Sequence, residues 1–161
     1  MRAAMLALPV LCMAVSAGAQ DQLSETDRSA AFRAAGFDQV DGQWQACGDP
    51  GTASYTPGQI DDVRDLNGDS RPEAVITEGS VFCFGSTEMG YSLVSKQADG
   101  SWQLITDGAG IPTALATKGV AGWPDLEIGG PGFCFPVERW NGREYALRGH
   151  QYEGKPCQPN Q

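Results

Sequence analysis

One histidine, no Cys-x-x-Cys pair and few cationic side chains narrow what this chain can do. His150 is the single histidine in 161 residues, so Ser–His, Cys–His or imidazole acid–base chemistry would have to pass through one side chain. It stands in Arg148-Gly149-His150-Gln151-Tyr152, a polar segment that reads as surface. No G-x-S-x-G elbow occurs, and Gly129-Gly130-Pro131-Gly132 lacks the Lys-Ser/Thr that completes a phosphate loop. Without Cys-x-x-Cys spacing, neither a zinc site nor a dithiol redox motif is expected. Lys and Arg number 11 against 20 Asp and Glu, a formal charge of −9. An acidic chain releases no counterions from phosphates, which argues against nucleic acid and for a cationic protein or a divalent metal as partner. No apolar run is long enough to span a bilayer. These absences point to binding, not catalysis.

The N-terminus reads as an export signal over residues 1–19. Arg2 supplies the positive charge, Ala3 to Val15 the apolar core, and Ala17-Gly18-Ala19 the small-residue cleavage site. Cys12 lies within that core behind Leu11, where a lipoprotein box needs a small residue, so lipid anchoring is not expected. A single domain should then run over 20–161, and losing Arg2 takes its charge from −9 to −10. A periplasmic or secreted location follows. Cys47, Cys83, Cys134 and Cys157 remain, an even number that in an exported chain implies two disulfides, with three connectivities possible.

The pattern after the leader is mainly β, an α+β domain with one N-terminal helix. Ser24-Glu25-Thr26-Asp27 is rich in helix-start residues, which predicts a helix over about 25–35 stopped by Gly36, with Phe37 reaching back to Phe32. Gln43–Ala46 alternates as a half-buried strand, Gly48–Gly58 reads as loop, and Ala74–Thr77 as a short apolar strand. Tyr91–Gln97 and Trp102–Thr106 flank Asp99-Gly100, and Val137–Trp140 and Glu144–Leu147 flank Asn141-Gly142, two hairpin signals. The second half reads as a shortened copy of the first. Arg71-Pro72-Glu73-Ala74-Val75-Ile76 matches Trp123-Pro124-Asp125-Leu126-Glu127-Ile128, and Phe82-Cys83-Phe84 matches Phe133-Cys134-Phe135. Such units pack side by side around a shared core. The expected fold is a small, disulfide-stapled antiparallel β domain of two related strand–hairpin units. If each half holds its own bridge, Cys47 pairs with Cys83 and Cys134 with Cys157.

The densest chemistry lies in Asp65-Leu66-Asn67-Gly68-Asp69-Ser70-Arg71-Pro72-Glu73. Oxygen-bearing side chains at alternate positions, bent at Gly68, suit a hard cation such as calcium. An EF-hand would need Gly where Ser70 stands and Glu where Ile76 stands, so that reading fails. Asp65, Asn67, Gly68, Asp69 and Glu73, running into Ala74-Val75-Ile76, resemble the cation loop of the FG-GAP (VCBS) repeat family, D-x-[DN]-G-D-G-x-x-D. The resemblance implies β structure and a calcium site with Asp65, Asn67, Asp69 and Glu73 as ligands, joined by the Arg71 carbonyl. Ser70 replaces the family's Gly and Glu73 its Asp. The second copy has Thr117, Gly119 and Ala121 in the earlier ligand positions and cannot hold a cation the same way. One full loop and one degenerate copy are too few for the family's usual propeller.

For partners, Trp102, Trp140 and Tyr145 lie in or near the hairpins and are the candidate anchors for a protein or glycan. The expected function is an exported, non-catalytic binding or structural domain with a calcium-type loop. The alternative is a periplasmic inhibitor of a cationic hydrolase such as lysozyme, since Asn141-Gly142-Arg143-Glu144-Tyr145 partly resembles the S-G-x-x-Y loop of some lysozyme inhibitors.

Overall fold

A computed structural model describes residues 23–159. The expected leader, 1–19, lies outside the described residues. Helix α1 (Glu25–Ala34) starts where the Ser24 hydroxyl accepts the Asp27 amide at 3.1 Å. Glu25 and Asp27 sit in its first turn, against the positive end of the helix dipole. It stops at Gly36, at φ +83°, where the Phe37 amide donates back to Phe32 and the Gly36 amide to Arg33. The Phe32 and Phe37 rings then meet edge to face, 5.5 Å apart, as the sequence leads one to expect.

Among the described residues, every regular element after α1 except one short helix and two 3-10 turns is an antiparallel β-strand. Strands β1 (Asp38–Val40) and β2 (Gln43–Gln45) form a hairpin. Sheet one is a meander of β3 (Thr56–Arg64), β4 (Glu73–Gly79), β5 (Met89–Lys96) and β6 (Trp102–Ala109). The four-residue helix α2 (Val81–Phe84) lies between β4 and β5. Sheet two continues as β7 (Ile111–Lys118), β8 (Pro124–Gly129), β9 (Phe135–Trp140), β10 (Tyr145–Tyr152) and β11 (Lys155–Pro156), again neighbour to neighbour. Both expected hairpins are present. Asp99 accepts the Ser101 amide at 2.9 Å in the first, and Asn141 accepts the amides of Arg143 and Glu144 in the second. The expected loop over Gly48–Gly58 ends early, because Thr56, Pro57 and Gly58 already belong to β3.

Three layers result, with sheet one in the middle. Ala74, Ile76, Val94 and Trp102 face α1 and the β1–β2 hairpin, where Phe32 and Trp44 stack with ring centroids 4.6 Å apart. Tyr91 and Leu93 face sheet two, against Trp123, Leu126 and Ile128. Strands β4 and β5 are thus covered on both faces, which is why Ala74-Val75-Ile76 is continuously apolar instead of alternating.

The two halves share one plan: β3–β4–β5–β6 and β7–β8–β9–β10 are successive four-stranded meanders. Cys47 is bonded to Cys83 and Cys134 to Cys157, the pairing the repeat favours. Neither bridge crosses between halves.

Candidate functional site

Two sets of residues carry the candidate chemistry: the loop joining β3 to β4, and the turns held by the disulfides. In the loop, the Asp65 carboxylate turns inward and accepts the amides of Gly68 (2.7 Å), Asp69 (3.2 Å) and Ser70 (2.8 Å). Asn67 Oδ1 accepts the Asp69 amide, and Asp69 Oδ1 accepts the Arg71 amide. Burial works to raise the Asp65 pKa, but the loop amides, Ser70 and Gly68 foremost, outweigh it and hold the carboxyl below its ordinary value. Ser70, standing where the resemblance would place glycine, adopts φ +66°. The left-handed turn is therefore made without glycine, at a cost of about 1–2 kcal/mol.

Glu73 closes the loop from below. It is 1% exposed and accepts from the Ser95 hydroxyl (2.7 Å), the Leu66 amide (2.7 Å) and the Asn67 side chain (3.4 Å). Burial pushes its pKa up; the bonds from Ser95 and Leu66 oppose this, and the charges of Asp69 and Asp65 add to it. Arg71 takes a part that spacing did not suggest. Its guanidinium donates to the second oxygen of Asp69 and to the Lys96 carbonyl, so the side chain takes part in the loop, whereas the expectation concerned its carbonyl.

These donors suit a hard cation in kind, being all oxygen, but their placement does not complete a shell. Asp65 is turned onto the loop's amides, Asp69 is paired with Arg71, and Glu73 bonds to Ser95. Among the described residues no three His, Cys, Asp or Glu side chains are grouped to hold a metal ion.

The second half has a different arrangement at the matching place. Asp125 follows Pro124 as Glu73 follows Pro72, and it is fully buried. Ser95 lies opposite Glu73 across β4 and β5. At the corresponding place on β9 stands Arg139, which grips Asp125 with two bonds of 2.8 Å. Arg148 (3.2 Å) and Thr117 (2.6 Å) complete the set. The Arg139 bonds hold the Asp125 carboxyl below the usual range against burial, with Thr117 and Arg148 assisting. The shortened loop of this half rests on the first: a Cβ on Gly122, at φ +78°, would lie 2.3 Å from the Asn67 carbonyl oxygen. Lys118 spans both loops, donating to the carbonyls of Leu66 and Gly122.

The aromatic residues chosen from the sequence lie elsewhere than expected. Trp102 is buried, and its indole donates to Asp27 at 3.1 Å, fastening α1 to sheet one. Trp140 and Tyr145 are half-buried beside Trp123, with Tyr145 donating to the Pro124 carbonyl at 2.9 Å. Their rings line the seam between the sheets, because the middle layer leaves no solvent face there. Tyr145 is accordingly not offered to a partner as an inhibitor loop would offer it. His150 lies within β10 opposite Pro136, and its carbonyl accepts the amide of Cys157, just past β11, at 3.1 Å.

The exposed aromatics are in the two matched triplets. Phe82 is 64% exposed and Phe133 76% exposed, each immediately before a bridged cysteine. The third residue of each triplet turns in: Phe84 lies over Gly90 and Phe135 packs beside Tyr152. Val81 and Tyr152 extend the apolar surface next to Phe82 and Phe133. The turns are neighbours, since a Cβ on Gly130 would lie 3.7 Å from the Thr87 methyl. The Phe-Cys-Phe repetition was visible in the sequence; which phenylalanine faces outward was not.

No protein-family model, curated protein or solved structure matches this chain. The family resemblance rests on the loop residues alone.

Proposed function

We propose that this is a non-catalytic binding domain working outside the cytoplasm, and that it meets a partner protein through its two disulfide-anchored turns. The observation that carries this reading is the matched pair Phe82 and Phe133. Two phenylalanines held outward at repeated positions, on turns a bridge keeps rigid, give apolar contact area at little entropic cost on binding. Exposed apolar patches of this kind mark interaction sites more often than isolated surface residues do. The chain's charge of −9 favours a cationic partner, with a lysozyme-type hydrolase as the narrower form of the reading. The test is the double variant Phe82→Ser/Phe133→Ser. Both side chains are exposed, so thermal stability should stay within about 0.5 kcal/mol of the parent. Capture of a partner from an envelope extract, and any inhibition of lysozyme at micromolar protein, should fall at least tenfold. Equal capture by parent and variant would remove the turns from the reading, and no inhibition by the parent would remove the lysozyme form of it.

Calcium at Asp65–Glu73 is the second reading, favoured by one asymmetry. Asp125 has two guanidiniums, whereas Glu73, in the same place of the other half, makes no ion pair among the described residues. A cation would supply that missing charge, in competition with Arg71 for Asp69. Calcium at a hundredfold excess over its dissociation constant should stabilise the domain by about 2.7 kcal/mol. The melting midpoint should then rise by roughly 5–15 °C, with Arg71→Gln strengthening binding and Asp69→Ala abolishing it. A midpoint indifferent to calcium and chelator would leave the loop as a self-bonded turn.

A further inference from the structure

We infer that the domain has a second recognition site: a pocket on sheet one that takes an organic cation, an ammonium or guanidinium carried on an apolar stem. Helix α1 covers only part of the sheet face that carries Ala74, Ile76 and Val94. Beyond it, the same face continues through Glu78, Gly90 and Ala109, which lie opposite one another on β4, β5 and β6, and through Ser92 and Asp107. These small floor residues leave a cavity of about 360 Å³, walled by Phe37 and by Phe84 from α2. A volume of that size suits a small organic group. The Phe84 wall exists because position 90 is glycine: a Cβ there would come within 2.3 Å of the ring.

The charge in the pocket selects the ligand. Glu78 is 3% exposed, and its carboxylate accepts from the amides of Ala46 (3.1 Å) and Cys47 (2.9 Å) and from the Tyr55 hydroxyl (2.9 Å). Those donors are neutral, so they orient the carboxylate without cancelling its charge. Asp107, exposed at the rim, is the second carboxylate. Among the described residues no Lys, Arg or His lines the cavity, and neither acid is in an ion pair. Aromatic and alanine walls over two uncompensated carboxylates disfavour anions and offer a cation what water cannot: opposite charge together with apolar cover for its stem. The site does not depend on the outward phenylalanines, since Phe84 lines the cavity and neither Phe82 nor Phe133 does.

The test is a titration of the domain, bridges intact, with n-butylguanidinium, n-butylammonium and the uncharged n-pentanol, followed by amide NMR. Both cations should move the signals of Gly90, Ser92, Gly108 and Ala109, and the alcohol should bind at least tenfold more weakly. Glu78→Gln is a poor probe because Glu78 holds three groups of the fold. Asp107→Asn, at an exposed rim, should weaken the cations about tenfold, equivalent to about 1.4 kcal/mol, with an unchanged melting midpoint. Ala109→Leu should abolish binding by filling the cavity. A blocked Gly-Arg-Gly peptide separates the sources: binding at least as tight as that of n-butylguanidinium assigns the site to a protein side chain, and weaker binding assigns it to free amines. Equal binding of alcohol and cations, or no movement of these amides at tens of millimolar, overturns the inference.

Discussion

Reducing both disulfides should unfold the domain at physiological temperature, whereas losing either one alone should leave it folded. The two bridges close separate stretches of chain, 36 and 23 residues apart in sequence, that do not overlap. Loop-closure entropy gives about 3.8 kcal/mol for the longer and about 3.4 kcal/mol for the shorter. Because the loops are independent, these contributions add to about 7 kcal/mol, against about 5–15 kcal/mol for the whole stability of a domain. The bridges also fix different things. Cys47–Cys83 ties the segment after β2 to α2, on which Phe82 and Phe84 sit. Cys134–Cys157 ties the turn before β9 to the segment just after β11, which holds only two strand residues. Urea melts of the Cys47→Ala/Cys83→Ala and Cys134→Ala/Cys157→Ala pairs should each show a cooperative transition at lower midpoint. The fully reduced chain should show none at 37 °C. An unchanged midpoint, with all four thiols demonstrably free, would mean that the layered core alone sustains the fold.

How far the sequence disclosed this architecture depended on where each strand lies in its sheet. The hairpins at Asp99-Gly100 and Asn141-Gly142 were legible because their turn residues have local causes. Helix α1 was legible from Ser24 and Gly36 for the same reason. The strands that escaped include the short β1 and β11, β7, and β3, whose mixed pattern over Ile60–Leu66 supports no firm assignment; β7 and β3 share a cause. Each is an edge strand and each contains a proline, Pro112 and Pro57. An edge strand needs only one row of ladder bonds, so proline is tolerated there, and a reader who treats proline as a strand breaker loses it. From the sequence Trp102 reads as a surface anchor because a hairpin ordinarily has a wet face; sheet one has none where α1 and sheet two cover it. For the sites, the donor types of Asp65–Glu73 were visible, but the turning of Asp65 onto three amides and the capture of Asp69 by Arg71 depend on backbone conformation. The Glu78–Asp107 pocket was out of reach altogether. Only the strand register brings those residues onto one face.

Replacing Arg139 by Met should cost the domain about 3 kcal/mol at neutral pH, far more than its half-exposed position suggests. Asp125 is fully buried at the start of β8 and bonds to Thr117 on β7, Arg139 on β9 and Arg148 on β10. One carboxylate thus joins four strands of sheet two. Met keeps the apolar stem of Arg139 and removes its two bonds, leaving a buried charge with one partially solvated arginine. Breaking a buried pair from one side costs about 3–5 kcal/mol, and Arg148 keeps the expected loss at the lower end. Arg143→Met, on the exposed β9–β10 turn, should stay within about 0.5 kcal/mol and serves as the control. The pH dependence identifies the cause. The Asp125 carboxyl is held below its ordinary value in the folded chain, so its contribution is complete above the unfolded value of about 3.9 and is lost as pH falls through the folded one. Without Arg139 that depression largely disappears. The stability gap between parent and Arg139→Met should therefore be widest near pH 7 and close progressively below about pH 4, where a protonated Asp125 no longer needs a counter-charge. Urea midpoints across that range measure it directly. A gap of the same size at both ends would show that Arg139 matters through packing alone, and the comparison with Glu73, whose missing counter-charge motivates the calcium reading, would lose its footing with it.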